Sequence, residues 1–230
     1  MKKKNCSNLK KDLLKLTCLG GLIAVTGIAQ AEDMEPLELD LPAPAFKGTP
    51  KDMKVDPNVE PLSDKPRPAM MVPKGLSNLA SGKNVSASTG TTSSSLKKVV
   101  DGDKEAYDTS AFLIKKGTQW VQVDLGETAE IFAIVVWHAH DVVKIYRDVI
   151  VQVSDEPEFK TGVTTLYNSD RDNSSGLGAG KDLEYFETAE GRLIDAKGVK
   201  GRYVRSYTKG STDSALNERV EIEVYGRPAK

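Results

Sequence analysis

From about residue 83 to residue 225, apolar side chains recur at every second position in short runs, and each run is bounded by Gly, Ser, Asp or Asn. In Gln119-Trp120-Val121-Gln122-Val123-Asp124-Leu125-Gly126 the pattern is plain: Val121, Val123 and Leu125 alternate with Gln122 and Asp124, and Gly126 marks a turn. Such a run is a strand with one buried face, and it needs other strands to bury that face against. The alternation predicts strands near 83–88, 119–125, 130–138, 147–154, 163–168, 183–187, 201–208 and 219–225, with one helical turn near Leu96–Val100. No heptad, internal repeat or long amphipathic helix competes with this reading. Strands of this length and spacing predict an all-β, antiparallel β-sandwich.

The stretch before the strands is of another kind. Residues 1–31 read as a signal peptide: a lysine-rich start, an apolar run from Leu16 to Ile28, and Ala29-Gln30-Ala31 as a cleavage site. The apolar run is short of the roughly 20 residues a membrane span needs. Lys15 and Thr17 suit lipid attachment at Cys18 poorly. The expectation is an exported protein, periplasmic, extracellular or associated with the cell surface, with no transmembrane segment after cleavage. Cleavage removes both cysteines, Cys6 and Cys18, and with them any disulfide or thiol site. It also takes Lys+Arg from 32 to 26 and Asp+Glu from 33 to 32, leaving a charge of about −6. That charge disfavours nucleic acid, whose binding rests on Lys and Arg neutralising phosphates.

Residues 32–75 carry nine of the eleven prolines and read as an extended arm or linker, because proline fixes φ and lacks the donor that helices and central strands use. Leu37, Leu39 and Leu41 alternate with Glu38 and Asp40, so this piece is either solvated or an added strand at a sheet edge, its own or a protein partner's. Residues 76–228 are the sandwich domain.

Six segments of that domain stand in a telling order: Asn78-Leu79-Ala80-Ser81-Gly82-Lys83, Val100-Asp101-Gly102-Asp103, Trp120 to Gly126, Val149 to Ser154, Arg202-Tyr203-Val204-Arg205, and Glu221 to Gly226. Together they resemble discoidin, or coagulation factor 5/8 type C, domains, and the galactose-binding-like sandwich shared with bacterial carbohydrate-binding modules. The resemblance covers about residues 77–227 and implies an eight-stranded jelly-roll holding ligands in loops at one end. It also implies a structural calcium, with side chains of Asp101 and Glu221 and carbonyls of Lys98, Asp103, Ala106 and Val220 as ligands. Hard oxygen donors of this kind suit Ca²⁺. Ala106 departs from the family, whose members often place a ligating Thr there. A turn without metal is the other reading of Asp-Gly-Asp.

Both histidines fall in Trp137-His138-Ala139-His140. At i and i+2 on a strand they share a face, which suits a transition metal with Asp141 or Asp148 as a third ligand, or two polar residues leaving a strand. Sugar-binding family members commonly use a His, an Arg, an Asn and an aromatic, and His138, His140, Tyr146 and Arg147 have that chemistry. In the loop from Asp170 to Asp182, Asp172 and Asn173 are candidates for sugar hydroxyls or a cation beside Asp170, or else solvated turn residues. The spacing of Gly176, Gly178 and Gly180 fits no dinucleotide fingerprint. No nucleophile–base layout or phosphate loop is present, so the chain reads as a non-enzymatic binding protein. Extracellular or cell-surface carbohydrate is the expected partner; an assembly protein acting through the arm, or a small metalloprotein at His138 and His140, are the alternatives.

Overall fold

The structure is a computed structural model, and it describes residues 32–46, 56–61, 63, 65–89, 93–106 and 109–229. The expected signal peptide, 1–31, lies outside the described residues. Residues 32–230 form one compact unit, and among the described residues no helix is long and apolar enough to cross a membrane.

The fold is all-β and antiparallel. Its eight strands are β3 (Ser77–Asn78), β4 (Asn84–Ala87), β5 (Phe112–Ile114), β6 (Gln119–His138), β7 (Ile150–Ser154), β8 (Thr164–Asn168), β9 (Arg192–Thr208) and β10 (Asn217–Pro228). They run in the order β3-β10-β6-β9-β7-β8, with β4 on β6 and β5 on β10. Two short strands, β1 (Met34–Pro36) and β2 (Met71–Pro73), pair separately. The expected helical turn is present as α1 (Ser93–Leu96) running into a 3₁₀ turn at Lys97–Val100.

The two strands expected at 119–125 and 130–138 are one strand of 20 residues. Its register against β9 slips between Asp124 and Ala129, where Gly126 sits at φ +91° and its N–H donates to Asp124 Oδ1 at 2.8 Å. An irregularity of this kind bends a strand without ending it, so β6 pairs with β4 through its first half and β10 through its second. Val121, Val123, Leu125, Ile131, Ile134 and Val136 enter the main core. Val135 and Trp137 point the other way, into a second cluster with Val220. Burial on both faces explains why Ile131-Phe132-Ala133-Ile134-Val135-Val136-Trp137 reads as a continuous apolar run.

Leu39 covers that second cluster, so this part of residues 32–75 packs on the sandwich. The piece that pairs as a strand is Met34–Pro36, with Met71–Pro73 of the same chain as its partner; Leu41 is exposed. The strand expected at 183–187 is absent. That segment makes isolated bridges instead, Val59 to Glu184 in parallel and Ile145 to Phe186 in antiparallel sense. It is flanked by two different partners, each one bridge long, so no ladder propagates.

Candidate functional site

Residues 184–193 are stitched into place from both sides. Glu60 N–H donates to Glu184 O at 2.8 Å and Glu184 N–H to Asn58 O at 2.9 Å, while Glu187 N–H donates to Lys144 O at 2.9 Å. Trp137 Nε1 donates to Ala189 O at 3.0 Å. Gly191, at φ +60°, passes under the Trp137 ring so closely that a Cβ would lie 2.6 Å from it. The segment thereby becomes one wall of a cleft of about 870 Å³, also lined by Pro44–Phe46, Glu60, Pro61, Ser63, Lys65–Pro68 and His140. That volume is in the range of small-ligand sites.

Buried polar atoms without partners gather in the residues that line this cleft. They are His140 Nδ1, Tyr185 Oη, Glu187 Oε1 and Arg192 Nε. Native interiors leave few such groups, because each costs about 1–3 kcal/mol of lost hydration. Against the larger effect of burial, the Tyr185 phenol acts on the Glu187 carboxyl as a hydrogen-bonding neighbour and lowers its pKa, but the contact falls short of full hydrogen-bond geometry, so each atom keeps capacity for a further partner.

Their donor and acceptor roles follow from the bonds behind them. His140 Nε2 is 2.9 Å from Lys104 O; a carbonyl only accepts, so Nε2 carries the proton and Nδ1 offers a lone pair. Arg219 donates through Nη1 to His138 Nε2 at 2.8 Å, so His138 carries its proton on Nδ1 and donates to Glu187 Oε2 at 2.7 Å. Glu187 Oε1 is left without a partner of hydrogen-bond geometry, with the Tyr185 phenol as its neighbour. Arg192 grips Glu60 through both terminal nitrogens at 2.7 Å, its guanidinium packs on the faces of Tyr167 and Tyr185, and Nε remains a spare donor.

Burial dominates the electrostatics. It pushes the Glu187 carboxyl well above the usual carboxylate range, and burial with the Arg219 charge holds His138 well below the usual imidazole value. For Arg192 burial opposes the charge, but the Glu60 carboxylate and the neighbouring phenols outweigh it and raise the pKa.

Of the six residues expected to hold ligand, His140 alone lines the cleft. His138 and Tyr146 are buried and stacked on each other with centroids 4.4 Å apart. Tyr146 Oη donates to Glu218 Oε2 at 2.8 Å. Both ring nitrogens of His138 are engaged, Nε2 by Arg219 and Nδ1 by Glu187. Arg147 is half-exposed and tied to Glu184 Oε2 at 2.5 Å. Asp172 and Asn173 are exposed and spend their oxygens on Ser174 N and Gly178 N. Asp172 lies in a carboxylate cluster with Asp148 and Asp170, but Asp170 there accepts from Ser174 N, Ser175 N and Ser175 Oγ and serves to fold the loop.

The residues expected around calcium are a separate place. Glu221 is buried, accepts from Gly102 N at 3.3 Å, and leaves Oε2 without a partner. Lys104, the nearby cation, is committed to Glu223 at 2.8 Å. Burial, with Glu223 and Asp101 adding repulsion, pushes the Glu221 carboxyl up to about 8. A buried carboxylate oxygen with no donor beside a second acid fits a hard cation. Asp103 spends its carboxylate on Ser110 Oγ and Glu105 N, leaving its carbonyl as the candidate ligand.

Tyr185, Glu187, Arg192, Arg67, Glu60 and Phe46 are absent from the sequence-based site. Leu183, Tyr185 and Glu187 alternate as a strand would, and that pattern carries no sign that Glu187 is buried.

Residues 98–206 match the family model of F5/F8 type C, NedA-like, galactose-binding domains. Comparison with curated proteins finds no match. Among solved structures, a chitosan-binding module from a Paenibacillus chitosanase/glucanase is 21% identical, covering 66% of this chain and 100% of its own, with a TM-score of 0.46. A fucose-binding module of Streptococcus pneumoniae is 19% identical over 65% of this chain and 98% of its own, with a TM-score of 0.45. A Clostridium perfringens module in complex with GlcNAc-α-1,4-galactose is 15% identical over 67% and 96%, with a TM-score of 0.46.

Proposed function

We propose, from the premise that residues 98–206 match a galactose-binding domain family, that this protein is a non-catalytic carbohydrate-binding module whose ligand lies in the cleft beside residues 184–193. The observation that carries the reading is the gathering of four unpartnered buried atoms in the lining of one cleft. His140 Nδ1 is an acceptor and Arg192 Nε a donor, while Tyr185 Oη and the Glu187 carboxyl, whose burial favours the protonated acid, can each donate or accept. A sugar hydroxyl donates one hydrogen bond and accepts others, so a ring carrying several of them satisfies such a set. The acids of the cleft orient partners: Glu60 holds Arg192, Glu190 lies 3.8 Å from Arg67, and Glu187 holds His138. This supports binding over hydrolysis, which needs one free carboxylic acid and one free carboxylate across the scissile bond.

The ligand is an extracellular or cell-surface glycan met after export and removal of residues 1–31. A calcium ion on Asp101, Glu221 and the carbonyls of Lys98, Asp103, Ala106 and Val220 would neutralise a buried charge and brace the Asp101–Asp103 turn.

A printed array of neutral and acidic oligosaccharides, followed by calorimetry on the strongest binder, tests the reading. Capture is expected, and Tyr185→Phe, which removes one hydroxyl, is expected to weaken it by about tenfold, the equivalent of one lost hydrogen bond. Absence of capture across the array, or unchanged affinity in Tyr185→Phe, defeats the assignment of this cleft.

A further inference from the structure

The lining of the cleft has two origins. The unpartnered polar atoms of the cleft all belong to the sandwich; the N-terminal segment adds the apolar Pro44, Phe46, Pro61 and Pro66 beside the charged Glu60 and Arg67, and it lies wholly outside the residues matching the family model. That segment is docked with some care. Val59 is buried with Ile145 and Phe186, Glu60 is clasped by Arg192 through two bonds of 2.7 Å, and Arg67 Nη1 donates to Glu190 O at 3.2 Å and Gly191 O at 3.0 Å. The Glu60 and Arg67 contacts join residues more than 120 positions apart.

We infer that the binding site is bipartite: the N-terminal segment is a fixed wall of it, taking the apolar C–H face of the sugar while the sandwich takes the hydroxyls. The inference rests on the glycan reading above and adds to it the residues that set affinity and selectivity. A pyranose ring has this two-sided character, a hydroxylated edge and a C–H face, and an aromatic ring with flanking prolines offers the apolar surface without side-chain ordering. Phe46 is the aromatic that the segment supplies. Arg67 is a positioning residue, since its guanidinium is used on the backbone carbonyls of Glu190 and Gly191. The basic groups Arg192 and Arg67 already face Glu60 and Glu190, so the wall has little net charge to draw an anion.

The test uses the full chain, the same oligosaccharide array, and the variants Phe46→Ala and Arg67→Ala, with melting temperature as the folding control. Phe46→Ala is expected to weaken the strongest binder by about tenfold and to change the rank order of oligosaccharides. Arg67→Ala is expected to move both in the same direction by loosening the wall. If Phe46→Ala, at unchanged melting temperature, keeps the affinity and rank order of the parent chain, the bipartite site is wrong while the glycan reading stands. If the parent chain captures no oligosaccharide, both fall together. Phe46 is only half-buried, so its variant remains informative should Arg67→Ala fold poorly.

Discussion

Glu221 is a carboxyl without a cation of its own. Its ordinary value is 4.5 and its folded value about 8, so the folded chain holds this proton more tightly than the unfolded one. The stabilisation linked to that proton is fully present below pH 4.5 and is lost as pH rises through 8. In chelator, melting should therefore fall between pH 5.5 and pH 8; Ca²⁺ should restore it at pH 8, and Glu221→Gln should flatten both responses. A variant whose pH slope matches the parent's would remove Glu221 from the account. His138 presents the converse problem, a neutral group between two ionisable ones. His138→Phe keeps a ring against Tyr146 but leaves Arg219 with only its Ser206 bonds and Glu187 Oε2 without its donor, and removing one partner of a buried ionic group costs about 3–5 kcal/mol. Denaturant unfolding should show that loss; one below about 1 kcal/mol would mean that water reaches the network. Residue chemistry here was legible in kind: His138, His140 and Glu221 were singled out as special. Their burial was not, since a polar side chain at an inward strand position looks the same in sequence as one facing solvent.

Among the elements, the loop 170–182 was legible in length and misleading in character. Its glycines and serines suggest freedom, but Asp170 staples Ser174 and Ser175, Asn173 at φ +57° accepts from Gly178 N at 2.7 Å, and Asp182 closes on Asn168 N at 2.6 Å. Gly180 lies so near Asn168 that a Cβ would fall 2.0 Å from its carbonyl oxygen. Gly180→Ala should therefore destabilise by about 2 kcal/mol or more, as backbone overpacking does, and admit protease within 170–182 of the folded chain. Unchanged melting and no new cleavage would show that the loop yields freely. The strands were read well because period-2 alternation is local. Segment 183–187 was misread because it carries the same alternation while facing two unrelated partners.

At the scale of the whole molecule, the N-terminal segment packs on the sandwich through two small clusters outside the main core. Leu39 lies on the Val135, Trp137 and Val220 cluster, and Arg227 holds Glu32 at 2.5 Å. Proline content reads as an arm because it excludes helix and central strand, yet it leaves open docking by side chains and single bridges. A chain starting at residue 76 should lose melting temperature and bind a hydrophobic dye where the Trp137 cluster opens. Equal stability of the short and full chains would show that the segment only rests on the surface.

The alternation of the sequence by itself determined that this chain is an antiparallel β-protein, while the burial of Ile131–Trp137 on both faces came from the structure. The order of six short segments determined the family likeness, because turns and strand edges are written in adjacent residues. Only the tertiary structure decided that His138 lies inside while His140 meets a cleft, that Glu187 is buried, and that Glu60 of the proline-rich segment meets Arg192, 132 positions downstream, in the lining of one cleft. Those outcomes depend on contacts between distant parts of the chain, and no local pattern of side chains records which polar group will be left without water.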